Sequence, residues 1–254
     1  MVLNNITDAT LNKAIKYVAL VLGVVIIVGV GMAIYQAIPS NQLSPAVRDE
    51  ITTTQAAITK DPTDADAHVK LASIYISEGM YSDAQTELDK ALKINGNHMA
   101  ALQLMGTVFE RDGNTAKAVT YYKKAISLGE KTEFKSLNPY LYEAIYRLGK
   151  IYVDENKNKQ AIDVLEKGVA INSIDSDLRY VLGLAYLQSN QTDKAISEFE
   201  TALKYVPDFA EAYFALGRAY EKKGDKAQAK AAYQKAVANK TNYTQAEEAL
   251  KKLK

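Results

Sequence analysis

The feature that most constrains this 254-residue chain is a side-chain pattern that returns every 34 residues. Tyr75 and Phe109 stand 34 residues apart, as do Tyr152, Tyr186 and Tyr220 in succession. Leu71, Met105, Leu148, Leu182 and Leu216 keep the same frame, and each is followed by a small residue: Ala72, Gly106, Gly149, Gly183 and Gly217. Ala84, Ala118, Ala161, Ala195 and Ala229 recur in step, as do Ala91, Ala125, Gly168, Ala202 and Ala236. Between the second and third copies the spacing widens to 43 residues, one period plus nine inserted residues around 133–141. A period of this length marks one supersecondary unit stacked on the next, because a single unit cannot bury both of its apolar faces.

Within a copy the apolar spacing is helical. In the fifth copy, Tyr213, Leu216, Gly217 and Tyr220 share one helix face, and Ala229, Ala232, Tyr233 and Ala236 share another. Between them stands Gly224, in a turn that favours positive φ. Gly79 and Gly113 hold the same place, and Asn156 and Asn190 replace them in the third and fourth copies. Each copy is therefore predicted to be two antiparallel helices joined by a short turn, with large rings filling the space left by Gly and Ala.

This pattern resembles the tetratricopeptide repeat family. The resemblance rests on Tyr213, Leu216, Gly217, Tyr220, Gly224, Ala229, Tyr233 and Ala236, and on Phe199, Ala202 and Pro207 of the fourth copy. It implies an all-α fold, an α-solenoid of about five tetratricopeptide-like hairpins at 65–98, 99–132, 142–175, 176–209 and 210–243. Segment 39–64 reads as a linker and degenerate first half-repeat, and 244–254 as a C-terminal cap helix that solvates the end of the stack. In the insert, Asn138-Pro139 reads as an N-cap and first helical residue. Phe134 and Leu137 fall in the remaining loop, as exposed contacts or folded back on the solenoid. One departure is the place near the start of each first helix where a large aromatic is expected; His68, Leu102, Ile145 and Arg179 stand there instead. His68 and His98 read as surface or partly packed residues.

The first forty residues differ in kind. Segment 17–38 contains no charged residue, and the helical distance from Tyr17 to Tyr35 is about 27 Å, close to the hydrocarbon thickness of a bilayer. One N-terminal transmembrane helix is expected there, with both tyrosines at the interfaces. A cleaved signal peptide ending near Gly31-Met32-Ala33, or a buried core helix, are the alternatives. Lys13 and Lys16 make 1–16 a short cytoplasmic N-terminus and place the repeats outside the cytoplasm. Gly29, Ala33 and Ala37 recur at four-residue spacing and could form a transmembrane packing face.

Composition narrows the chemistry. The formal net charge is +1, which gives no overall attraction for nucleic acid. With no Cys and only two His, thiolate sites are excluded and imidazole sites have few ligands to draw on. No phosphate-binding glycine loop or nucleophile motif is present, and no carboxylate pair stands out as acid and base. No enzyme, metal or cofactor is expected.

What remains is protein binding. The resemblance implies a concave groove lined by the first helix of each copy, polar in copies one and two and more aromatic and aliphatic afterwards. The groove residues implied are Tyr146, Lys150, Val153, Tyr180, Leu184, Leu187, Phe214 and Arg218. The basic and amide clamp of the family's chaperone-tail binders is not matched, so an apolar segment is the expected ligand, as an extended peptide or an amphipathic helix. The expected function is a non-catalytic protein-binding scaffold or accessory subunit of a membrane complex, with membrane-associated protein partners. A chaperone-like factor for exported clients, or a self-assembling homo-oligomeric solenoid, are the alternatives.

Overall fold

The computed structural model describes residues 43–132 and 138–253. These form twelve α-helices: α1 (Pro45–Lys60), α2 (Ala65–Ser77), α3 (Tyr81–Ile94), α4 (Met99–Arg111), α5 (Thr115–Gly129), α6 (Pro139–Asp154), α7 (Asn158–Ile171), α8 (Ser176–Gln188), α9 (Thr192–Tyr205), α10 (Ala210–Lys223), α11 (Lys226–Asn239) and α12 (Thr244–Lys252). The uncharged run 17–38, with Gly29, Ala33 and Ala37, lies outside the described residues, as do Phe134 and Leu137. Among the described residues no helix is long and apolar enough to cross a membrane.

Helices α2, α4, α6, α8 and α10 are the first helices of the five copies, and α3, α5, α7, α9 and α11 are the second. The chain stops and restarts each helix by local chemistry. The Asp64, Asp175 and Asn138 side chains accept backbone N–H groups at the starts of α2, α8 and α6. Pro139 follows Asn138 as the first residue of α6, where its missing N–H costs nothing. At the hairpin turns Gly79, Gly113 and Gly224 have φ of 74°, 74° and 87°, and Asn156 and Asn190 take the same left-handed conformation at 56° and 60°. Asn is tolerated there because its short polar side chain adapts to that region better than most.

Packing inside each copy follows one rule. A small residue on the first helix receives a large side chain sixteen positions later on the second. A Cβ added to Gly106 would lie 2.5 Å from Tyr122, one added to Gly183 would lie 2.5 Å from Phe199, and Gly149 faces Leu165 in the same way. These rings and branched chains are fully buried and run as one apolar interior from α2 to α11. Removing such surface from water is the main source of stability.

A second register occupies the place where the sequence departs from the expected aromatic. His68 is buried, with 3 % of its surface exposed, and its Nδ1 lies 2.6 Å from the Glu87 carboxylate. The reading of His68 as a surface or partly packed residue is thus corrected: it is fully packed. In the fourth copy Arg179 meets Glu198 at 2.6 Å with the same nineteen-residue offset. A polar pair across the hairpin replaces an aromatic contact in these two copies. His98 caps α4, its Nδ1 accepting the Ala101 amide, which leaves Nε2 to donate to Asp66 at 2.8 Å.

A third register joins neighbouring copies. The Tyr186 hydroxyl donates to Glu166, and Tyr220 donates to Glu200 at 2.6 Å, each twenty residues back on the preceding second helix. Tyr75 receives the Gln55 amide at 3.3 Å with the same offset. Helix α1 therefore occupies the place of a second helix beneath α2. At the lengthened junction of copies two and three, Tyr122 donates to Glu110 at 2.7 Å, and Arg147 reaches both Glu110 and Glu143.

Candidate protein-binding groove

The first helices present a common surface, and its form changes along the stack. In copy two, Gln103 and Thr107 are buried and bonded to each other at 3.1 Å, so their polarity is spent internally. In copies four and five, an open cavity of about 440 Å³ lies between α8 and α10. Leu184, Leu187 and Gln188 line it from α8, and Arg218, Glu221 and Lys222 line it from α10.

Two of the four polar side chains lining this cavity, Lys222 and Glu221, have partners. Lys222 donates to the Leu187 carbonyl at 2.9 Å, which ties the end of α8 to α10. Glu221 accepts the Tyr233 hydroxyl at 2.7 Å. Arg218 is exposed and makes no hydrogen bond or ion pair among the described residues. The cavity thus offers an aliphatic wall facing an unspent guanidinium.

The aromatic residues expected in the groove have divided roles. The Tyr180 ring packs 5.0 Å from Phe209 and 6.1 Å from Phe199, and burial pushes its hydroxyl up to about 12. Phe214 sits between Tyr233 and Tyr243, at 5.6 and 5.3 Å, beneath the start of α12. Both rings are half-buried and hold helices together. Tyr146 is also half-buried, and burial with the nearby Asp177 charge raises its hydroxyl. Lys150 points outward to Asp154 at 2.9 Å, and Val153 is interior. Of the eight expected residues, Leu184, Leu187 and Arg218 share the cavity.

Gln188, Glu221 and Lys222 belong to the same wall without having been singled out from sequence. They directly follow Leu187 and Tyr220 in chain order, at the last turn of each first helix, and that position was the available signal. Asp177 was also missed. It lies at the start of α8, where burial, Asp175 and Glu143 together hold its carboxyl above the usual range. No group of three or more His, Asp or Glu able to hold a metal ion occurs among the described residues.

Helical hairpins nested in one repeating register define an α-solenoid of the peptide-repeat type. Family models described as tetratricopeptide repeat match residues 63–131, 142–175 and 180–246. The chain carries tetratricopeptide repeats, and its described residues form a solenoid of that type. Solved structures agree. The crystal structure of YrrB, described as a TPR protein with an unusual peptide-binding site, has a TM-score of 0.66 at 23% identity, covering 78% of this chain and 97% of that one. A crystal structure of MamA has a TM-score of 0.59 at 27% identity, covering 69% and 91%. PilF of Pseudomonas aeruginosa has a TM-score of 0.63 at 18% identity, covering 77% and 84%. No curated protein matches the chain by sequence comparison.

Proposed function

We propose that this protein is a non-catalytic scaffold, or accessory subunit of a membrane complex, that holds a partner protein on the first-helix surface of its last two copies. The observation that carries the reading is the cavity between α8 and α10, lined by Leu184 and Leu187 together with Arg218, which has no partner among the described residues. A concave site with an aliphatic patch beside charged groups can hold a peptide segment and fix its position. The peptide-binding site named for YrrB adds support, because that solenoid is similar in fold.

The uncharged segment 17–38 supports a single membrane anchor, and Lys13 and Lys16 favour a cytoplasmic N-terminus with the repeats outside. An anchor would confine the groove to a thin layer at the membrane and raise the effective concentration of membrane-bound partners.

The test is affinity purification of the tagged full-length chain from native membranes, comparing wild type with Leu184→Glu and Arg218→Glu. Both variants are expected to lose the co-purifying partner while keeping wild-type helical circular dichroism. A partner retained by both variants places the binding surface elsewhere. For the anchor, the chain is expected to stay in the membrane pellet after alkaline carbonate extraction; release into the supernatant removes it.

A further inference from the structure

The strip of surface from the start of α8 to the middle of α10 is electrically bipolar. At one end Asp177 is exposed and has no ion-pair partner among the described residues, with Glu143 and Asp175 close by. At the other end Arg218 is exposed and has no partner among the described residues, and the Lys222 ammonium beside it donates to the Leu187 carbonyl. The half-buried Tyr146 of α6 stands near Asp177, and the half-buried Tyr180 with Leu184 and Leu187 stands toward Arg218. Lys150 is neutralised by Asp154, Arg147 by Glu110 and Glu143, and Glu211 by Lys240, while the Glu221 carboxylate beside Arg218 accepts the Tyr233 hydroxyl and leaves the two cations of that end in excess.

We infer that the groove selects an extended peptide with an acidic side chain at Arg218, an aliphatic or aromatic side chain in the cavity beside it, and a basic side chain toward Asp177. This rests on the groove reading above and adds the chemistry of the ligand. The spacing follows from helix geometry. Asp177 and Leu184 are seven residues apart on α8, about 10 Å along its axis. Arg218 stands level with Leu184 in the repeat frame, one helix-packing distance to the side, or about 10 Å. The diagonal is about 14 Å, which an extended chain covers in about four residues. The acid and base of the ligand are therefore separated by about four residues, with the apolar residue nearer the acid.

The arrangement also gives rejection. A peptide carrying two acids or two bases at this spacing would place like charges together at one end, and unpaired like charges discriminate strongly. Tyr146 and Tyr180 supply rigid amphipathic surface along the path, and neither hydroxyl makes a hydrogen bond within the described chain.

The experiment is selection of a random twelve-residue peptide display library on the full chain in detergent. Fluorescence polarisation then measures the enriched peptides against wild type, Arg218→Glu and Asp177→Lys. The inference expects enriched peptides with Asp or Glu beside an apolar residue and Lys or Arg about four residues away. It expects at least tenfold weaker binding to Arg218→Glu, and recovery when the peptide acid is replaced by Lys. Enriched peptides without that charge order, or affinities indifferent to Arg218→Glu, overturn this inference and leave the groove reading standing. Enriched peptides that bind Leu184→Glu as well as wild type overturn the groove reading, and this inference with it. A selection that enriches nothing overturns both.

Discussion

A Cβ placed on Gly217 would lie 2.5 Å from the ring of Tyr233, closer than any carbon pair tolerates. The same approach recurs at Gly106 and Tyr122 and at Gly183 and Phe199. Close packing of the two helices in a hairpin thus depends on the absence of one carbon atom. Gly217→Ala is expected to destabilise the chain by about 1–3 kcal/mol through overpacking. Adding Tyr233→Leu should recover much of the loss, since the first copy buries Ala72 and Leu88 at these places. Chemical denaturation of the single and double variants measures both effects; additive losses would refute the pairing.

His68 and Glu87 form a buried polar pair where an apolar contact would serve packing as well. His68→Leu leaves the Glu87 carboxylate without this partner and is expected to cost about 1–3 kcal/mol. His68→Leu with Glu87→Tyr copies the Leu102 and Tyr121 combination of the second copy and should restore stability. A thermal melt of the double variant that stays at the level of the single one counts against this account.

The inter-copy tyrosines make the solenoid sensitive to alkali. Hydrogen bonding to Glu200, together with burial, pushes the Tyr220 hydroxyl up to about 12. Because the folded value lies above the unfolded one, near 10, the neutral form is favoured by folding. Its contribution is complete below about pH 10 and is lost as pH rises through about 12. Tyr220→Phe is therefore expected to flatten the fall in stability across that window, as measured by denaturant midpoints at successive pH values. An unchanged slope sets Tyr220 aside as a contributor.

Tyr180 packs on Phe209 and Phe199 as well as flanking the groove. Tyr180→Ala is expected to lower stability by about 2 kcal/mol, below the cost of removing a fully buried ring because Tyr180 is half-buried. Loss of binding in that variant would not separate contact from folding, whereas Arg218→Glu leaves the aromatic contacts in place. Urea denaturation of Tyr180→Ala and Arg218→Glu should show a large shift in the first and little in the second.

The 34-residue recurrence determined the helical hairpins, their order and their turns. Those features depend on local periodicity and on Gly or Asn at left-handed positions, and each is written in consecutive residues. The early start of α6 was legible for the same reason, since Asn138 and Pro139 act on the next turn alone. The family resemblance also named Leu184, Leu187 and Arg218 as residues of one face. It could not say that α8 and α10 leave a cavity between them, or that Phe214 lies beneath Tyr243. Those outcomes depend on distances between helices far apart in the chain. The burial of His68 was likewise hidden, because an ionisable side chain is admitted to an interior only by a partner, and Glu87 is supplied by the opposite helix. Sequence set which residues share a face; tertiary packing decided which of them have charge left to offer a ligand.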